Sequence, residues 1–200
     1  MERRKPFVVN NSGHEEWFTP QIYADAVRAV MGDIDLDPAS CREANQIIRA
    51  RRYFTKEEDG LKQRWYGRIY LNPPYKLGVM SKFVEKLISE FTDRNVTEAI
   101  VLTNNATETK WFQDLLSCSR AVCLNKGRIR FVNEKGDIIG APLQGQVFFY
   151  LGDNISRFCE IFTRFGKILI PKFHLIETLP KRLTYQRKQR LISKTTSNND

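Results

Sequence analysis

Cysteine and histidine are scarce in this chain. Cys41, Cys118, Cys123 and Cys159 are scattered without a Cys-x-x-Cys pair, and the histidines are His14 and His174. Such a set suggests neither a zinc cluster nor a disulfide framework, and neither histidine has a catalytic partner in the sequence, so no metal is expected. Long apolar runs are missing too. Nothing approaches the roughly 18 residues that a membrane span needs, and residues 1–6 lack an apolar stretch of signal-peptide length. The expected setting is the cytoplasm, with reduced thiols. Acidic residues are in deficit: 23 Asp and Glu against 32 Lys and Arg leave a net charge of +9 and a pI near 9.5. That balance points toward a polyanionic partner.

What is present suits a globular protein. The hydrophobic fraction is 42%, the aromatic fraction 12% and the length 200 residues, enough for one domain with a sizeable core. That domain is expected over residues 16–179, after a mobile extension (1–15) and before a basic, flexible tail (180–200). The tail carries Lys181, Arg182, Arg187, Lys188, Arg190 and Lys194, and a second basic stretch holds Arg120, Lys126, Arg128, Arg130 and Lys135.

Periodicity predicts strands alternating with helices. Helices are expected over 21–31, 41–51, 81–91, 108–116 and 155–165, the first with Thr19 as N-cap, Pro20 at the first helical position and Gly32 at its end. Strands are expected over 33–38, 53–55, 68–71, 98–103, 121–124, 127–132, 146–151 and 167–170, with a turn at 134–137. The alternation argues an α/β fold, a compact Rossmann-like sheet, mostly parallel, with an antiparallel hairpin at one edge and helices on both faces. Ligands of such sheets bind at the carboxyl ends of the strands. Two motifs fall there: Asp35-Leu36-Asp37-Pro38-Ala39 and Asn72-Pro73-Pro74-Tyr75. In the second, two prolines fix an extended, rigid turn that presents an amide, a backbone carbonyl and a flat aromatic face.

Trp17-Phe18-Thr19-Pro20, Asp35-Leu36-Asp37-Pro38-Ala39-Ser40, Asp59-Gly60-Leu61 with Trp65, and Asn72-Pro73-Pro74-Tyr75 together resemble the phage-type, Dam-like DNA adenine-N6 methyltransferases. The likeness continues through Trp111-Phe112 and Gly127-Arg128-Ile129-Arg130-Phe131, and so covers roughly residues 16–152. It implies S-adenosylmethionine as cofactor, a bacterial or phage-infected cell as the setting, and direct methyl transfer. Asn72 and the carbonyl of Pro73 would accept hydrogen bonds from the target amine, with Pro74 stiffening the turn and Tyr75 stacking on a base rotated out of its duplex. Asp37, with Asp35 as the less certain partner, would meet the cofactor's ammonium or ribose. Thr19 and the helix start at Pro20 would offer a hydroxyl and N–H groups to its carboxylate. Pro38 and Ala39 continue that cofactor loop, Asp59 would accept from the cofactor's adenine amine, and Trp17 would close the pocket. Glu57 or Glu58 is the candidate for the ribose. Trp65 and Trp111 read as core residues.

Two departures accompany the likeness. The cofactor loop after the first strand has no glycine between Asp37 and Ala44, and only 35 positions separate Asp37 from Asn72. A full methyltransferase sheet would place two strands and two helices there, so a trimmed sheet is expected. With little room for a separate recognition domain, the hairpin around 127–140 is the candidate DNA contact through Lys126, Arg128, Arg130 and Lys135. The basic tail would add salt-sensitive affinity. Two alternatives stay open: an RNA adenine or protein glutamine methyltransferase using the same tetrapeptide, and a catalytically silent nucleic-acid-binding module.

Overall fold

The computed structural model describes residues 17–76, 78–133, 136–140 and 144–171. The expected extension at 1–15, the tail at 180–200 and Lys135 lie outside the described residues. In chain order the elements are α1 (Gln21–Met31), β1 (Leu36–Asp37), α2 (Arg42–Ile48), β2 (Arg52–Tyr53), β3 (Gly67–Leu71), α3 (Val79–Thr92), β4 (Val96–Asn104), α4 (Lys110–Cys118), β5 (Ala121–Asn125), β6 (Phe131–Val132), β7 (Ile138–Gly140), β8 (Gln146–Leu151), α5 (Ile155–Phe162) and β9 (Gly166–Leu169). Seven strands form one sheet in the order β2-β1-β3-β4-β8-β5-β9, and β6 with β7 makes a separate ribbon.

Alternation along the strands separates two cores. Tyr70, Ile100, Leu102, Cys123, Phe148 and Tyr150 face α1 and α5, meeting Ala24, Val27, Phe158 and Phe162. Ile69, Leu71, Val101, Val122, Phe149 and Leu151 face α3 and α4, meeting Phe83, Val84, Leu87, Phe112 and Leu115. Helices therefore cover both faces, as expected. α2 is fastened to α1 by Arg28, whose guanidinium donates to the carbonyls of Ile47 (2.7 Å) and Ile48 (2.8 Å) at the helix end, where a cation is favourable.

The sheet departs from the expectation of a mostly parallel one. β2-β1, β1-β3 and β3-β4 are parallel, whereas β4-β8, β5-β8 and β5-β9 are antiparallel. The antiparallel part is thus half the sheet rather than an edge hairpin. The reason lies in β8: all six of its residues are buried, so it is inserted as an interior strand between β4 and β5. Residues 127–130 are not strand either. The Ile129 N–H is taken by the Gln146 side chain at 2.8 Å instead of a neighbouring strand, and pairing begins only at Phe131. Between Asp37 and Asn72 the chain holds one helix, α2, and two strands, the two-residue β2 and β3, one helix fewer than a full methyltransferase sheet would place there.

Thr19 is not the cap of α1. Pro20 occupies that position, without a side-chain cap bond, and its carbonyl accepts the first helical N–H groups, from Tyr23 and Ala24. The Thr19 hydroxyl turns instead toward β3.

The segment between β2 and β3 closes over the end of β1. Asp59 takes a left-handed backbone, φ 51°, which a short polar side chain tolerates. The reversal sets Gly60 against the Pro38 carbonyl so closely that an added Cβ would lie 1.9 Å from that oxygen. Trp65, 1% exposed, then anchors the turn by donating from Nε1 to the Gly60 carbonyl at 2.7 Å. Gly60→Ala should therefore cost about 2 kcal/mol or more through overpacking against rigid backbone. Thermal denaturation followed by circular dichroism should show a fall in Tm of about 5 °C or more.

Candidate active site

β1, β3 and β4 run parallel, so their carboxyl ends lie at one edge of the sheet, and Asp37, Asn72 and Asn104 end or follow those strands. Asn72 is half-buried there, followed by the buried Pro73, the exposed Pro74 and the half-buried Tyr75. The orientation of the Asn72 amide is dictated by its partners. Its Nδ2 donates to the Trp17 carbonyl at 3.1 Å and lies 3.4 Å from Thr19 Oγ1. A backbone carbonyl can only accept, so this end of the amide is the nitrogen. Oδ1 is the other end, and it accepts from the Tyr75 hydroxyl at 3.0 Å. An amide oxygen has two lone pairs, and one is left for a further donor. Burial raises the Tyr75 phenol well above its ordinary value, so the group is a neutral donor throughout the physiological range.

Aromatic rings wall this position. Phe131, fully buried, meets Trp17 edge-on at 5.3 Å and Tyr75 at 6.5 Å. The same segment is tied to the residues before α1 by the isolated antiparallel Phe18–Val132 bridge. Along it Ile129 and Phe131 point inward while Lys126, Arg128 and Arg130 are exposed. Arg128 and Arg130 are thus exposed on the segment that leads into Phe131.

The two candidate acids of β1 have separate surroundings. Asp35 is held by Arg68, whose backbone N–H and Nε donate to Oδ2 at 2.9 and 3.1 Å. Burial alone would raise the Asp35 carboxyl, but the hydrogen bonds and charge of Arg68 outweigh it and keep it below the ordinary value. Gly67 makes that approach possible, since a Cβ there would lie 2.5 Å from Asp35 Oδ2. Asp35 therefore joins β1 to β3 and is not brought to the cleft as a free acid. Asp37 is only 3% exposed, and among the described residues no salt bridge offsets its charge. Desolvation pushes its carboxyl up to about 7, against weaker lowering by the Ala39 N–H and the Ser40 hydroxyl. A buried carboxylate of this kind calls for a cation.

Pro38 is buried and Ala39 half-buried behind Asp37, and the contact of Gly60 with Pro38 brings Asp59 to this loop. The Asp59 carboxylate accepts from the Leu61 N–H at 3.3 Å and pairs with Lys62 at 3.1 Å. Glu58 accepts from the Thr55 N–H at 2.8 Å and so braces the turn, and Glu57 is exposed. Sequence reasoning missed Tyr70. This residue is wholly buried and its hydroxyl lies 2.6 Å from Thr19 Oγ1. Strand alternation held the signal, since Tyr70 sits two before Asn72 and shares its face. It also missed Gln146, which donates to Asn104 Oδ1 at 3.3 Å while accepting from Ile129.

A groove of about 1380 Å3 between Trp65, Tyr66, Lys82, Lys86 and Arg94 lies at the other end of the strands, and its charges are mixed. Among the described residues no group of His, Cys, Asp or Glu is placed to hold a metal ion, and no helix is long and apolar enough to cross a membrane.

The raised Asp37 pKa has a definite sign for stability. Between its ordinary value of 3.8 and about 7, the unfolded chain has lost this proton while the native chain keeps it. The native state therefore binds more protons, and its stability falls as pH rises through that window. Asp37→Asn should raise Tm above pH 7, and the gain should vanish near pH 4. Calorimetric melting of both proteins across that range checks it.

No curated protein matches this sequence. Residues 8–163 match the family model described as DNA N-6-adenine-methyltransferase (Dam), which spans the candidate site together with all but the last strand of the sheet, and the chain belongs to that family.

Proposed function

We propose that this chain transfers a methyl group from S-adenosylmethionine to the N6 amine of an adenine in DNA. The observation that carries the reading is the orientation of the Asn72 amide, its nitrogen on the Trp17 carbonyl and its oxygen on the Tyr75 hydroxyl with a second lone pair left over. With that lone pair and the Pro73 carbonyl one peptide further on, two acceptors are available to one exocyclic amine. Accepting its protons draws electron density onto nitrogen, and the acceptors stabilise the positive charge that grows there during attack. Tyr75 first donates to Oδ1 and then offers its ring for stacking beside Phe131, and the target base is reached by rotation out of the duplex.

The donor set fits the cofactor. Asp37 is a buried carboxylate without a salt-bridge partner among the described residues, suited to an ammonium, and the Pro38-Ala39 loop, Asp59 and Trp17 complete the proposed pocket. When bound, the cofactor supplies an electrophilic methyl on a sulfonium sulfur. The protein's part is positioning: it holds amine and methyl in line and keeps water away, with no covalent intermediate on the chain. DNA is favoured as the polyanion by the net charge of +9 and by the exposed Arg128 and Arg130 on the segment that leads into Phe131.

Labelled methyl transfer offered to duplex DNA, RNA and protein in parallel tests the reading. DNA should be labelled well above the others, and Asn72→Ala should lower the rate by about 100-fold or more while cofactor binding by calorimetry is retained. Equal labelling of RNA, labelling of protein alone, or an active Asn72→Ala protein would contradict it.

A further inference from the structure

Thr19 carries the helix-start signature but does not act as a helix cap. It is 3% exposed and Tyr70 is wholly buried. Their hydroxyl oxygens are 2.6 Å apart, and Thr19 Oγ1 lies 3.4 Å from Asn72 Nδ2. Tyr70 and Asn72 are two residues apart on one strand, so both reach the same oxygen from the same face.

We infer that Thr19 and Tyr70 are a positioning pair that locks the Asn72 amide for reaction, a role apart from cofactor binding; this rests on the methyl-transfer reading above. Asn72 Nδ2 can only donate, so Thr19 accepts from it. The Tyr70 phenol is the more acidic of the two hydroxyls and donates to the same oxygen, which then uses both of its lone pairs. An oxygen fixed by two donors cannot turn away from either. One amide hydrogen of Asn72 is engaged by the Trp17 carbonyl and the other by Thr19. The only hydrogen-bonding atom the amide has left for the cleft is Oδ1. A site so built takes a donor, an amine, and repels a carbonyl in its place. Removing the Thr19 hydroxyl frees one amide hydrogen and lets the amide rotate, which lowers the fraction of bound complexes aligned for transfer.

The test uses the full chain with three substitutions, Thr19→Val, Thr19→Ser and Tyr70→Phe, each first checked by thermal melting. Thr19→Val should lower kcat by about tenfold, with KM for DNA and the calorimetric Kd for S-adenosylmethionine within about twofold of the wild-type values. Thr19→Ser, which restores the hydroxyl, should recover most of the rate. Tyr70→Phe should shift kcat in the same direction, and the double variant Thr19→Val with Tyr70→Phe should be no slower than the slower single variant. An active wild type whose Thr19→Val variant keeps its kcat would overturn the inference and leave the methyl-transfer reading standing. Weakened cofactor Kd with unchanged kcat would overturn it too, by making Thr19 a cofactor contact. A wild type that transfers no methyl to DNA would overturn the underlying reading, and the pair's role with it.

Discussion

Leu36 stands opposite Ile69 in the parallel pairing of β1 with β3, and the site depends on that register. Because the strands run the same way, Asp37 and Asn72 emerge at the same edge, one at the end of each. The pairing is reinforced from the side by Asp35, which grips the backbone and guanidinium of Arg68. On the opposite flank, β3 pairs with β4 over five positions and is buried on both faces. A slip of one residue would turn Tyr70 and Asn72 to the other face, away from Thr19 and Trp17.

The polar residues at this edge divide according to their surroundings. Asp35 stands just before β1 and Asp37 ends it, yet Arg68 neutralises the first and burial isolates the second. The first serves the fold, and the second is kept with a raised pKa by its desolvation. Asn72 is likewise held at both ends of its amide, by the Trp17 carbonyl and the Tyr75 hydroxyl, and only Oδ1 keeps a spare lone pair. Phe131 meets both Trp17 and Tyr75, and Tyr75 in turn donates to Asn72, so the aromatic wall and the amide are joined.

Much of this was legible in the sequence where the determinants are local. The period of the apolar residues placed α1 and β8 within a residue or two, and the prolines after Asp37 and Asn72 marked the strand exits. The direction of β8 was not legible, because a wholly apolar strand reads the same whether it is interior or at an edge, parallel or antiparallel. Residues 127–130 alternate as a strand does, yet Gln146, sixteen positions on from Arg130, takes the Ile129 N–H. Thr19-Pro20 has the local chemistry of a helix start, but tertiary contact with Tyr70 claims the hydroxyl. The separate surroundings of Asp35 and Asp37 were not legible, because they depend on Arg68, thirty-three positions away from Asp35.

The account turns on an amide oxygen that receives an adenine amine. Mass spectrometry of the nucleosides released from duplex DNA, after incubation with the protein and S-adenosylmethionine, addresses that claim directly. N6-methyldeoxyadenosine as the one new methylated nucleoside is the result the account predicts. Methylation confined to cytosine, or no methylated nucleoside at all, would contradict it.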